Sequence, residues 1–338
     1  MHNRARPFSR RRFLGGVTLA GTAGLLGVYP RPVAAEPPLE TTRIRLLQFT
    51  SACQAPLYLS EELLRTEGFT DVQWVRTNLD FVSQHLESGT VDLGLNFIGP
   101  NLIGLDSGAP AVILAGGHVG CFELVGTDRV HSIRDLKGKK VGISTLGTAA
   151  HVFLSAMVAQ VGLDPRRDIN WAPDATADNA ALLTEGKIDA FMAFPLDAQE
   201  LRAKKVGHVV VNSAVDRPWS QYFCCMIIGH RDFIRQYPVA TKRAMRAILK
   251  TADLCALAPE RAAQGLVDKG FAKQYDYALQ LMKDLPYGRW REYSAEDTVR
   301  FYALRLREAG MIKSSPQKLI EQGTDWRFFN ELKKELKG

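Results

Sequence analysis

The chain of 338 residues is poor in several things that usually announce a function. It has five cysteines, at positions 53, 121, 224, 225 and 255, too few for a disulfide scaffold and without the spacing of metal ligands. They read as small buried hydrophobes, with no metal and no cofactor expected. After residue 35 no apolar run approaches the roughly 20 residues needed to cross a membrane. Ser51 and Ser144 lack the glycine-flanked elbow of a nucleophilic serine, so hydrolase chemistry is not expected. His118 and His151 have neither a second ligand four residues on nor a paired carboxylate, so no catalytic or metal role is expected of them. Acid is absent from residues 1–35, which hold six arginines, at 4, 6, 10, 11, 12 and 31. Setting those six aside reduces the formal net charge from +7 to +1. The basic character is therefore local, and a nucleic-acid-binding face is not expected. Lys333, Lys334 and Lys337 alternate with Glu331 and Glu335 and read as a solvated helix face.

What is present begins with Ser9-Arg10-Arg11-Arg12-Phe13-Leu14, followed by an apolar run to Val28 with glycines at 15, 16, 21, 24 and 27. This segment resembles a twin-arginine export signal. Val33-Ala34-Ala35 offers small residues at a cleavage site, so residues 1–35 are expected to be removed after Ala35, with an uncleaved anchor as the alternative. Residues 36–41, with Pro37 and Pro38, read as a linker.

A strand–helix rhythm then runs along the chain. Strands are expected at 44–49, 72–75, 91–97 and 111–115, with helices at 57–66, 81–86 and 100–105 between them. The rhythm restarts with strands at 140–144, 169–171, 189–193 and 209–211 and helices at 148–161, 179–184 and 197–204. A last strand-like run covers 222–228, and helices fill most of the rest: 240–257, 262–270, 275–283, 295–309 and 326–336. Such alternation predicts an α/β protein with mainly parallel sheets flanked by helices. Two lobes joined by two hinge crossings, near 121–126 and 222–229, are expected: lobe 1 from 42–122 and 226–338, lobe 2 from 123–225. Two independent α/β domains in series is the alternative.

Four stretches resemble the periplasmic substrate-binding proteins of ABC importers, in the nitrate/sulfonate/taurine and thiamine-precursor group. They are Gln54-Ala55-Pro56-Leu57-Tyr58-Leu59, Ser88-Gly89-Thr90-Val91-Asp92-Leu93-Gly94, Asp135-Leu136-Lys137-Gly138-Lys139-Lys140-Val141-Gly142 with Gly147, and Gly186-Lys187-Ile188-Asp189-Ala190. The resemblance spans 42–338 and implies the two-lobed type II periplasmic-binding-protein fold. It also implies a monomer in the periplasm that hands a small molecule to ABC permease subunits in the membrane, after export by the twin-arginine translocase. The group's usual Gly-aromatic-Phe is reduced here to Gly68-Phe69, and its ligand-binding residues differ among members. Intracellular relatives that make the thiamine pyrimidine carry a Cys-rich motif, of which Cys224-Cys225 is a partial echo.

In open α/β sheets ligands bind outside the carboxyl ends of the strands. That rule selects the loops 52–58, 96–101, 144–148 and 193–197. Within them Gln54 and Asn96 can donate and accept hydrogen bonds, and Tyr58, Phe97 and Phe194 can stack on a planar ligand, or else belong to the core. Thr145, Gly147 and Thr148 open a helix whose first N–H groups suit an acceptor atom, unless Thr148 merely caps that helix. Trp219 overhangs the cleft or packs inside. The four loops contain no Arg or Lys, which tilts the expected ligand from a strong anion towards a planar heterocycle such as a pyrimidine. If the crossing segments pair, Cys121 stands near Cys224 or Cys225 for a disulfide. The expected function is a non-catalytic solute-binding component. A pyrimidine-forming enzyme on the same fold and the ligand-binding subunit of a sensor are the alternatives.

Overall fold

Four strands of each sheet run one way and the fifth runs against them, in a computed structural model that describes residues 36–77, 85, 88–174, 176 and 178–337. The first sheet holds β1 (Arg43–Gln48), β2 (Asp71–Arg76), β3 (Leu93–Phe97), β4 (Ala111–Val119) and β10 (Phe223–His230), in the order β2-β1-β3-β10-β4. The second holds β5 (Glu123–Gly126), β6 (Lys140–Ile143), β7 (Asn170–Pro173), β8 (Ala190–Ala193) and β9 (His208–Asn212), in the order β7-β6-β8-β5-β9. The reversed strands are β10 and β5, each the first strand after a crossing. β1 pairs with β2 in register from Arg43 opposite Asp71 to Gln48 opposite Arg76. Every residue of β3 and β4 is buried, as befits strands covered on both faces whose sequences are near-continuous apolar runs.

The expected α/β architecture with two sheets is what the chain adopts, but the crossings differ from the sequence reading. Residues 123–126, taken for a hinge, are already β5, and 223–229 are already β10. The outgoing crossing is thus 120–122 and the return is 213–222. The strand-like run read at 222–228 is β10, whereas 123–126 is short and buried throughout, and a run of that length carries no period to mark it as a strand. The two crossings are pinned to each other. Ser213 Oγ donates to the Phe122 carbonyl (2.8 Å) and accepts from the Phe122 N–H (3.0 Å). Gly120 has φ +76, and a Cβ there would meet that of Ala214 at 2.5 Å.

Among the helices, 57–66 is two pieces, Ala55–Tyr58 and Glu61–Thr66, separated at Leu59-Ser60. The helix expected at 81–86 lies outside the described residues. The long helix Pro238–Leu257 packs on Ala55–Tyr58 and Glu61–Thr66 beside the first sheet, and against Arg327–Glu335. Helix Ala295–Glu308 reaches further and lies on both helix Ile98–Asp106, which follows β3, and helix Ala149–Gln160, which follows β6. No helix among the described residues is long and apolar enough to cross a membrane.

Candidate functional site

The carboxyl ends of β1, β3 and β4 meet the two crossings at one place. Cys225 of β10 stands opposite Phe97 of β3 on one side and His118 of β4 on the other. The β10–β4 register shifts on both sides of Cys225, a bulge that re-aims consecutive side chains. Gly116 and Gly117 of β4 make this possible: a Cβ on Gly116 would fall 2.1 Å from the Phe223 ring, and one on Gly117 2.4 Å from Leu95. The turn after β1 brings Cys53 and Gln54 to the same point, where Gln54 Nε2 approaches Cys225 Sγ at 3.6 Å and Cys53 Sγ at 3.8 Å.

Several of the sequence-predicted residues converge here and others do not. Gln54 is buried at the centre, with its Oε1 lacking any partner among the described residues. Asn96 is also buried, but its Oδ1 accepts from the Phe97 N–H (2.8 Å) and its Nδ2 donates to Asn101 Oδ1 (3.3 Å). Phe97 and Phe194 face each other across Phe122, whose ring centroid is 5.2 Å from that of Phe97 and 5.1 Å from that of Phe194. Phe153 and Tyr302 complete this aromatic layer between the sheets, and Trp219 is buried against Phe153. Tyr58 stands apart. It stacks on Phe271 at 4.1 Å, and its hydroxyl donates to the Phe49 carbonyl (2.5 Å), so it is built into the helical layer of the first sheet.

Thr145, Gly147 and Thr148 lie at the mouth of the second sheet. Gly147 has φ +88, a conformation L side chains rarely adopt, with open space where a Cβ would stand. Thr148 occupies the cap position of helix Ala149–Gln160, but its hydroxyl donates to the Thr145 carbonyl (2.9 Å) and makes no cap bond. Beside this helix end a cavity of about 620 Å³ is lined by Ser144, Phe194, Asp178, Asp197 and Glu200, among others. Burial pushes the Asp197 carboxyl up, and the neighbouring Glu200 and Asp178 push it the same way.

His151 shares that mouth. Its Nδ1 accepts from the Gly147 N–H at 3.0 Å, and its ring meets the Trp171 edge at 4.8 Å. Burial lowers its pKa from 6.5 to about 4. The imidazole thus stays neutral in the fold, and protonation favours the unfolded chain. Its contribution to stability is complete above about 6.5 and is lost as pH falls from there towards 4. Denaturant midpoints between about pH 7.5 and 4.5 should decline with a slope approaching one proton, and His151→Gln should flatten it. An unchanged slope in the variant would remove His151 as its source.

All five cysteines are buried, as expected, and free, so the pairing of Cys121 with Cys224 or Cys225 as a disulfide is not formed; the fold adds a cluster that spacing did not show. The ligand-capable atoms of Cys53, His118, Cys121 and Cys225 all lie within 4.8 Å of one another, and all four residues are buried. Sequence spacing missed them because three segments far apart in the chain deliver them. Cys121 and Cys224 bring their sulfurs to 3.2 Å. Burial opposes charge on Cys225, but hydrogen bonding from Cys121, Cys224 and Cys53 and the nearby His118 carry its thiol below the ordinary range. Burial likewise opposes the His118 imidazolium, yet Cys225 and Cys53 hold it up to about 10. Cys255, by contrast, is buried with its thiol pushed up to about 12 by desolvation alone.

On either side of this floor the sheets are clasped. Asp284, ending helix Tyr275–Asp284, accepts from Gln199 Nε2 (3.0 Å) and pairs with Arg202, both on helix Asp197–Lys204. Arg305 donates to Gln160 across the other flank.

Residues 71–262 match a family model described as NMT1/THI5 like. No curated protein matches the sequence. Among solved structures, the periplasmic nitrate-binding protein NrtA of Synechocystis PCC 6803 superposes with a TM-score of 0.72 at 16% identity, covering 89% of this chain and 90% of that one. The periplasmic aliphatic sulphonate binding protein SsuA of Escherichia coli gives 0.65 at 18% identity, covering 85% and 91%. The Candida albicans CA3427 product, described as having the generic periplasmic binding protein fold, gives 0.66 at 12%, covering 84% and 96%. At such identities the likeness establishes a common two-lobed fold.

Proposed function

The chain belongs to the NMT1/THI5-like family, and from that premise we propose that it is the extracytoplasmic solute-binding component of an ABC importer. One observation carries the reading: two sheets present the carboxyl ends of their strands to each other, joined by two crossings and clasped by side-chain pairs that can part and re-form. A ligand that touches both sheets only in the closed state drives closure by its differential affinity. Gln54, Asn96 and Phe97 from the first sheet and Thr145, Gly147, Thr148 and Phe194 from the second are the proposed ligand contacts. A membrane permease of the importer is the proposed recipient. Residues 1–35 are proposed as the cleaved twin-arginine signal that places the protein in the periplasm.

Two features favour a ligand class. The uncapped start of helix Ala149–Gln160 suits an acceptor atom. The carboxylates of Asp178 and Asp197 in the adjoining cavity suit donors and repel anions. A neutral heterocycle whose edge carries both, such as an aminopyrimidine, meets these demands better than nitrate or an aliphatic sulfonate. The nitrate-binding and sulphonate-binding neighbours keep those anions in the test.

The test is a thermal-shift screen of the mature protein against nitrate, taurine, an alkanesulfonate, bicarbonate, amino acids and aminopyrimidines. Ligand at about 100 times its Kd adds about 2.7 kcal/mol of stability. Aminopyrimidines are expected to shift the midpoint, and Thr148→Ala and Phe194→Ala to weaken that shift. A shift by a sulfonate instead would overturn the ligand class. Turnover of a candidate without stable binding would favour the one rival with an observation behind it, an enzyme using the buried thiol–imidazole cluster.

A further inference from the structure

We propose that Cys53, Cys121, Cys225 and His118 form a closed, four-coordinate site for one thiophilic metal ion, zinc(II), buried where the two crossings meet the first sheet. The inference rests on the cluster's geometry and stands whether or not the solute-binding reading holds.

Three thiolates and one imidazole are a ligand set of structural zinc. Tetrahedral zinc with bonds of about 2.3 Å to sulfur places its sulfurs about 3.7 Å apart. The four candidate atoms are already within 4.8 Å of one another, so side chains need contract by no more than about an ångström to close on an ion. The four residues are only 1–7% exposed, which leaves no room for an open coordination position facing solvent.

The groups around the four residues are arranged as an outer shell. His118 Nδ1 lies 3.4 Å from the Val119 carbonyl, so the neutral tautomer with its proton on Nδ1 would turn the Nε2 lone pair to a metal. That Nε2 is buried without a hydrogen-bond partner among the described residues, an arrangement a native interior rarely tolerates. Each sulfur has its own polar neighbour. Ser51 Oγ is 3.2 Å from Cys53, Gln54 Nε2 is 3.6 Å from Cys225, and the Cys224 thiol is 3.2 Å from Cys121. Donors to thiolates in this pattern temper the excess negative charge of a three-thiolate site. Cys121 reaches the cluster from a backbone with φ +110, a region that non-glycine residues rarely occupy and that the Ser213 clamp on Phe122 sustains. Cys255, which has no such company, is what an inert buried cysteine looks like in this chain.

The position gives the ion a role. Cys121 lies on the outgoing crossing and Cys225 on the strand that follows the return, so a shared metal ties that crossing and β10 to the turn after β1. An ion enclosed this deeply is loaded as the chain folds. Export of a folded holoprotein, the kind of export the arginine-led segment at 9–14 resembles, would then have a reason.

The test uses the full chain, purified anaerobically without chelator or reductant and examined by native mass spectrometry with elemental analysis. One zinc per chain is expected. Exchange for cobalt(II) should give the thiolate charge-transfer band and the intense visible bands of tetrahedral coordination. Cys53→Ser, Cys225→Ser and His118→Gln should each weaken metal binding at least tenfold, and Gln54→Ala about 10–100-fold as an outer-shell partner. Cys255→Ser should leave it unchanged. Should the ligand variants fail to fold, the wild-type cobalt spectrum and metal content still decide the matter. Wild-type protein with no metal and five titratable thiols after refolding with excess zinc would overturn the proposal, as would a Cys121–Cys224 disulfide in the protein as isolated.

Discussion

Replacing Phe122 by alanine is expected to cost about 3–5 kcal/mol of stability, the range for removing a buried aromatic ring. Phe122 is the last residue of the outgoing crossing and is buried. Its ring contacts Phe97 at the end of β3, Phe153 on helix Ala149–Gln160 and Phe194 just past β8, all with centroids 5.1–5.2 Å away. The cavity left by alanine would be walled by both sheets, and neither can collapse into it without moving the other. The backbone on each side is held by Ser213, so the crossing itself cannot relax to fill the space. A denaturant midpoint that falls at unchanged slope would report this loss, and Phe122→Leu should recover most of it. A loss below about 1 kcal/mol for the alanine variant would mean that the sheets slide together freely and that the aromatic layer is not what spaces them.

The second large effect lies far from the cleft. Arg246 on helix Pro238–Leu257 has a side chain only 6% exposed and joins two carboxylates. Its Nη1 meets Glu67 Oε2 at 2.6 Å, and its Nε meets Glu335 Oε1 at 2.5 Å. Glu67, 12% exposed, would lose this close partner and keep Lys250 at 3.6 Å. Breaking a buried pair from one side costs about 3–5 kcal/mol, because the other charge stays buried. Arg246→Ala is expected in that range, with faster amide exchange in helix Arg327–Glu335, which Arg246 ties to the body through Glu335. Removing both charges, in Arg246→Met with Glu67→Leu, should return much of the stability, since an apolar pair of similar volume often matches a buried ion pair. If the double variant is no better than the single one, the loss comes from packing of the arginine stem and not from the stranded carboxylate.

Much of this fold is legible one segment at a time. The helices at 179–184 and 197–204 begin and end where the sequence places them. Asp178, which caps the first, and the apolar runs of β3 and β4 are local signals that need no tertiary partner to be read. β5 escaped because four buried residues between a crossing and a turn show no period. The carboxyl-end rule selects loops and not side-chain partners, so the stacking of Tyr58 on Phe271 and its hydrogen bond to the Phe49 carbonyl are legible only in the fold. The same rule applied to thiols would have pointed at Cys53 and Cys121, each just past a strand end, had cysteine been weighed as a ligand and not only as a hydrophobe.

The sequence by itself determined the alternation of strands and helices, the glycine at 147 that frees the start of a helix, the concentration of the net positive charge in residues 1–35 and the family to which the chain belongs. Those are properties of short windows, where period, turn chemistry and composition act locally. Only the tertiary structure decided that the crossings are 120–122 and 213–222, that the sheets are clasped through Asp284 and Arg305, and that Cys53, His118, Cys121 and Cys225 meet. The last of these depends on a bulge in β10 and two glycines in β4, and it joins residues up to 172 positions apart. Convergence of that kind is set by how sheets pack and where strands end, which no window along the chain contains.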